Sequence, residues 1–227
     1  TDPVSQRMWV QWHLLLHETT VNIIDGTPLD TWDDLRRAAH EFIEDIIMDQ
    51  SAYQEKYTEK YTNYYLRSPQ GREKFFGKEF MKNASEVGFT LDDLASLVII
   101  EDAPGHFTIN PMQKGESSVT FKEIKITTEG PENRPDGYFK INFESESIIK
   151  GKSPDGSSNE WTMIHTHSHT FPPVSTLQKN ASDYGWLFKQ IGLVPKGRSL
   201  KNDPLSPQQI HDLFIQVVDT PGPFFSA

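Results

Sequence analysis

Near Asn83 the hydrophobic period of the chain changes from helical to strand-like, and this switch limits the fold more than any other feature. Upstream, "MWVQWHLLLHETTVNII" from Met8 to Ile24 is apolar nearly all round, as a buried helix would be. "DGTP" from Asp25 breaks it, and Thr31 with Asp34 then forms a capping-box pattern. In "DLRRAAHEFIEDIIMDQ", residues Leu35, Ala38, Ala39, Phe42, Ile43, Ile46 and Ile47 share one stripe, the clearest amphipathic helix in the chain. Tyr53, Tyr57, Tyr61 and Tyr64 make a second stripe at helical spacing, read as a packing face. "SPQG" is a turn, and "REKFFGKEFMKN" a short helix.

Downstream, Thr90 and Asp93 cap a short helix, "LDDLASL". "SLVIIED" and "HFTIN" flank "APG" as a hairpin. "SVTFKEIKITTE" alternates Val119, Phe121, Ile124 and Ile126, with one slip that marks a bulge. "YFKINFES" alternates through Phe139, Ile141 and Phe143, and "KGKSPDGSSN" is a polar loop. "SDYGWLFKQIG" reads as a helix closed by Gly192, and "HDLFIQVVDTPGPFFSA" as a last strand. The expectation is a helical segment over residues 1–82, then an α+β domain over residues 83–227.

The 227 residues suffice for one large domain or two small ones. Thirty-two acids against 22 bases give a net charge of −10, which argues against nucleic-acid and anionic-membrane partners. No apolar run approaches the roughly 18 residues of a membrane span. With no cysteine there is neither a disulfide nor a thiolate ligand or nucleophile. The start lacks an initiator Met and a signal-peptide pattern, so the chain is expected to be part of a larger or processed polypeptide.

Three of the eight histidines fall within five residues of "EWTMIHTHSH". On a strand, His165, His167 and His169 share one face, and Thr166 and Ser168 the other. Neutral imidazoles side by side suit a metal ion, since they offer lone pairs without mutual charge repulsion. A catalytic zinc site needs a third protein ligand and one open position. His165 and His169 lie about 13 Å apart along a straight strand, too far to share one ion. Asp183 is the expected third ligand, placed at the start of "SDYGWLFKQIG" where a helix dipole favours a carboxylate.

An apolar strand ending in H-x-H, followed by S-x-x-D opening a helix, resembles the JAMM (JAB/MPN-type) metalloproteases, and among them the JAB-like domains of bacterial toxins and phage-related proteins. The resemblance covers residues 83–227 and rests on His165, His167 and "NASD" from Asn180 to Asp183. It implies a JAMM/cytidine-deaminase-like mixed sheet flanked by helices, with Zn2+ held by His165, His167 and Asp183. Asn180 stands where the family has Ser, and either Asn180 or Ser182 would steady the oxyanion. The family's upstream general base matches Glu86 in "NASEVG", with Glu101 as its rival and Glu116 more distant. "FTINPMQKG" resembles a stretch of the toxin-like branch, and "FIQVVDTPGPFF" the family's last strand and turn. The implied activity is hydrolysis of a peptide or isopeptide bond, on a protein substrate that includes ubiquitin-like conjugates. The toxin-like branch further implies a secreted effector, held by an immunity or chaperone protein. A metal-free JAB/MPN-like scaffold is the alternative from another class.

Other patterns fail on chemistry. "HLLLHE" sets His13 and His17 one turn apart, but Glu18 lies outside the pair, unlike a zincin. "HTHSH" resembles the opening of PHP-type phosphoesterases, whose further ligands are missing, since only His211 follows. "DGSSNE" and "ENRPDGY" do not match a calcium loop, and no phosphate-binding glycine loop or G-x-S-x-G occurs.

Overall fold

The computed structural model describes residues 31–219, which form two compact units, one from residues 31–54 and 172–219, the other from residues 55–171. The helix expected at Met8 to Ile24, with His13 and His17, lies outside the described residues, as does the tail beyond Asp219.

In the first unit, α1 (Trp32–Asp45) starts at Thr31, whose hydroxyl accepts from the Asp34 amide at 3.2 Å and donates to the Asp34 carboxylate at 2.7 Å. Leu35, Ala38, Ala39, Phe42, Ile43 and Ile46 are buried along the expected stripe. Helices α6 (Val174–Ser182) and α7 (Gly185–Gln190) replace the single helix expected around Asp183, and Gly192 follows α7 with φ +81°. Pro173 caps α6, so this helix begins almost at once after the histidine strand and has already ended at Asp183. The last described element, α8 (Pro207–Asp219), corrects the strand expected there. Ile210, Phe214, Val217 and Val218 are its buried residues, a spacing of four, seven and eight that only a helix places on one face. Arg36 and His40 of α1 both bond Asp219 of α8, at 3.1 and 2.7 Å, and Glu44 bonds His211 at 3.0 Å.

Helix α2 (Gln50–Arg67) begins in the first unit and continues into the second. There Tyr57, Tyr61 and Tyr65 are buried, whereas Tyr64 is only half-buried. The next helix of the sequence is two, α3 (Pro69–Phe76) and α4 (Lys78–Glu86), parted at Gly77 by a φ of +89°. Helix α5 (Leu91–Ala95) carries the complete Thr90–Asp93 capping box. Arg72 is buried and donates to the carbonyls of Leu66, Leu94 and Ala95, so one guanidinium closes the ends of both α2 and α5.

Six strands form one sheet: β1 (Ile99–Ala103), β2 (His106–Ile109), β3 (Met112–Lys114), β4 (Ser117–Glu129), β5 (Phe139–Lys152) and β6 (Ser158–Phe171). Their order is β1-β2-β4-β5-β6, with β3 also on β4, and every described pairing is antiparallel rather than mixed. The expected bulge in β4 falls between Phe121 and Glu123. Strands β5 and β6 pair without a slip from Phe139–Phe171 to Lys152–Ser158. One face of the sheet is buried through Val119, Ile124, Ile126, Phe139, Ile141, Phe143 and Ile149, and Phe75, Phe76 and Phe80 are buried in the same unit. The opposite face of β6 is open, with Ile164 71% exposed, so the fold is α+β with a sheet wet on one side.

Candidate metal centre

The geometry of β6 decides what its histidines can do. His165, His167 and His169 are half-buried on the inner face, opposite Ser145, Phe143 and Ile141 of β5, and Thr166 and Ser168 point outward, as alternation requires. Two residues on a strand are about 7 Å apart along the backbone. The His167 and His169 rings nonetheless have centroids only 4.7 Å apart, edge to face, so they lean together. Their Nε2 atoms are 3.1 Å apart. The Tyr65 Oη from α2 lies 3.0 Å from the His167 Nε2 and also touches the His169 Nε2. Phe143 packs against both imidazoles, and the Tyr61 ring lies tilted against His169 with centroids 4.6 Å apart.

His165 takes a different environment. A Cβ on Gly77 would lie 2.9 Å from its Nδ1, so the glycine between α3 and α4 makes room for this ring. The expected H-x-H pair, His165 with His167, is therefore one step out of frame with the pair whose nitrogens meet.

The electrostatics favour neutral rings. Burial first, then His167 and Lys74, bring the His169 imidazole down to about 4. Burial, His165 and Lys74 lower His167 in the same way. Burial, with Tyr61 and Tyr64 beside it, pushes the Tyr65 phenol above the ordinary tyrosine range. Neutral imidazole is the form that binds metal.

The other expected site residues stand on other elements. Glu86 ends α4 and is half-buried. That helix runs from Gly77 beside His165, past Asn83, which bonds Met163, to Val87 beside Gly151, so Glu86 lies about 13 Å of helix rise from Gly77, in the direction away from His167. Glu101 is exposed on β1, four strand spacings or about 19 Å from β6, and its carboxylate accepts from the Gly105 amide. Glu116 is exposed and pairs with Lys152 at 3.2 Å. Asn180, Ser182 and Asp183 belong to the first unit, at the C-terminal end of α6. The Ser182 hydroxyl donates to the Lys179 carbonyl, and Asp183 is the exposed residue that ends the helix, not one that opens it. Among the described residues no three His, Asp or Glu side chains gather as a metal group. The third polar group beside His167 and His169 is the Tyr65 phenol. No family model matches the chain, and no curated protein or solved structure matches it.

Tyr65 is the participant that sequence spacing missed. The run Tyr53, Tyr57, Tyr61, Tyr65 keeps a step of four to its end, and a buried tyrosine hydroxyl needs a polar partner; that need was the available signal.

Proposed function

We propose that this chain is a zinc-dependent peptidase or isopeptidase whose cation is held by the imidazoles of His167 and His169. The observation that carries the reading is the meeting of two Nε2 atoms at 3.1 Å on neutral, half-buried rings. Tetrahedral zinc with bonds of about 2.0–2.1 Å sets its nitrogen ligands roughly 3.3 Å apart, so the pair fits the ion with little movement. When bound, zinc lowers the pKa of its water toward neutrality and polarises a carbonyl. The residues of the chain hold both rings neutral, keep them leaning together against Phe143, and leave the outer face of β6 open. The JAMM-like pattern supports the choice of reaction and extends it to a protein substrate, including a ubiquitin-like conjugate, and to an effector of the toxin-associated kind. The family's own arrangement, with His165, His167 and Asp183 as ligands, Glu86 as base and Asn180 or Ser182 at the oxyanion, is the alternative to the His167–His169 centre.

Elemental analysis of the purified chain tests this. The reading expects about one zinc per chain, lost in a His167→Ala, His169→Ala double variant. It also expects cleavage of a peptide library that stops with a chelator and returns with zinc. A folded chain that takes up no zinc and cleaves nothing would refute it in favour of a binding module. With zinc retained, loss of cleavage in Glu86→Gln alone identifies the base, and loss of zinc in Asp183→Asn or His165→Ala alone moves the ligand set to those residues.

A further inference from the structure

We infer that Tyr65 is the third protein ligand of this centre, bound through its phenolate oxygen. The inference rests on the preceding reading, that His167 and His169 hold a cation, and adds a donor from α2.

Its basis is a count of protons. Three atoms, the His167 Nε2, the His169 Nε2 and the Tyr65 Oη, contact one another pairwise. Three two-centre hydrogen bonds among three atoms need three protons, one on each atom, so each atom would have to donate once and accept once. A hydroxyl can do both, but an imidazole nitrogen either carries a proton or offers a lone pair. Among these atoms alone, at least one contact is left without a proper hydrogen bond. A cation between them satisfies all three with lone pairs. The separations of 3.0 and 3.1 Å are close to the edge of a tetrahedral zinc site, about 3.3 Å.

The elements hold the donors in place. Tyr65 is buried at the end of the tyrosine stripe of α2, and its ring packs on Phe143 at 4.7 Å, the residue beneath both imidazoles. His167 and His169 are fixed by unbroken pairing of β6 with β5. Helix and strand therefore present one donor and two donors to a common point, and the fourth position is left for water or substrate.

The proton balance is definite. On binding, the phenol loses its proton to solvent, and any proton on either Nε2 moves to the Nδ1 of the same ring. The metal gains three bonds, and net release is one proton per cation. Two nitrogens and an aryloxide suit Zn2+, and also Cu2+, which serves as an optical probe.

The metal-free chain is titrated with Zn2+ and with Cu2+, followed by calorimetry and by absorption. Wild type is expected to bind one ion and release one proton, and its copper form to show a phenolate-to-copper charge-transfer band. Tyr65→Phe is expected to keep the fold, lose the band and bind Zn2+ at least tenfold more weakly. Tyr64→Phe, whose hydroxyl accepts from Lys74, is expected to keep both band and affinity. If wild type binds the ions without the band and Tyr65→Phe binds as tightly, the phenol is not a ligand, while the His167–His169 centre stands. If folded wild type binds neither ion, both readings fall. The band is read on wild type, so the outcome does not depend on a variant that fails to fold.

Discussion

Acidification should destabilise the metal-free chain through His169, by an amount that follows from its surroundings. Burial, with smaller help from His167 and Lys74, takes this imidazole from 6.5 to about 4 in the folded chain. The folded pKa is below the unfolded one, so between the two values the unfolded chain binds more protons, and stability falls as pH falls. The contribution of the neutral ring is complete above about pH 6.5 and is lost as the pH drops toward about 4. Between about pH 7 and about pH 5 the linkage relation gives a loss of ~2 kcal/mol as an upper figure. The ring is only half-buried, and screening by water brings the expectation to ~1 kcal/mol. Urea unfolding with a chelator present, on wild type and His169→Leu at both pH values, measures it. Surface carboxylates such as Asp102 and Asp136, whose pKa values are lowered by partners, titrate in both proteins and cancel in the difference. Wild type should lose ~1 kcal/mol more than the variant. An equal loss in the two proteins would refute the argument that this ring is held neutral by its burial.

Three further substitutions probe the supports of the centre. Phe143→Ala removes a fully buried ring that touches both imidazoles and Tyr65; thermal melts should show a loss of about 4 kcal/mol, and zinc affinity should drop with it. Gly77→Ala strains a φ of +89° and puts a methyl 2.9 Å from His165, so denaturant curves should show a loss of about 2 kcal/mol, with zinc stoichiometry unchanged if His165 is not a ligand. Arg72→Met leaves three carbonyls without their guanidinium, and unfolding should show a loss of about 3 kcal/mol with no effect on metal stoichiometry.

Elements whose period is unambiguous were legible in the sequence. Thr31 and Thr90 cap helices as their spacing required, the slip in "SVTFKEIKITTE" is a bulge, and the histidines alternate on a strand. The last helix was not legible, because "HDLFIQVVD" satisfies two periods. Phe214, Gln216 and Val218 alternate, while Ile210, Phe214, Val217 and Val218 repeat with helical spacing, and burial selects the second set. The break at Gly77 went unread because a lone glycine inside a helical pattern is usually tolerated; here its positive φ ends one helix and makes room for an imidazole. Asp183 was expected at the start of the helix "SDYGWLFKQIG". That stretch holds the end of α6, which begins at Val174 and is capped by Asp183, and then α7, which starts only at Gly185 behind Tyr184, so the carboxylate stands at the C-terminal pole of α6.

The site itself turns on helical phase. Alternation puts three imidazoles on one face but does not say which adjacent pair meets, since both pairs have the same spacing. The choice depends on what stands across from the strand, 102 residues earlier in the chain. On α2, Tyr64 and Tyr65 differ by one residue, a rotation of about 100°. Tyr64 turns to a half-buried position and takes a hydrogen bond from Lys74, whereas Tyr65 turns inward to His167 and His169. Removing the hydroxyl at each position in turn, in a Tyr64→Phe, Tyr65→Phe comparison of zinc affinity, should therefore separate the two roles. Tyr64→Phe loses only the bond with Lys74 and keeps full affinity, and Tyr65→Phe loses the donor. If calorimetry finds the two variants equal, helical phase does not select the histidine pair, and the frame of the site must be set from β6 alone.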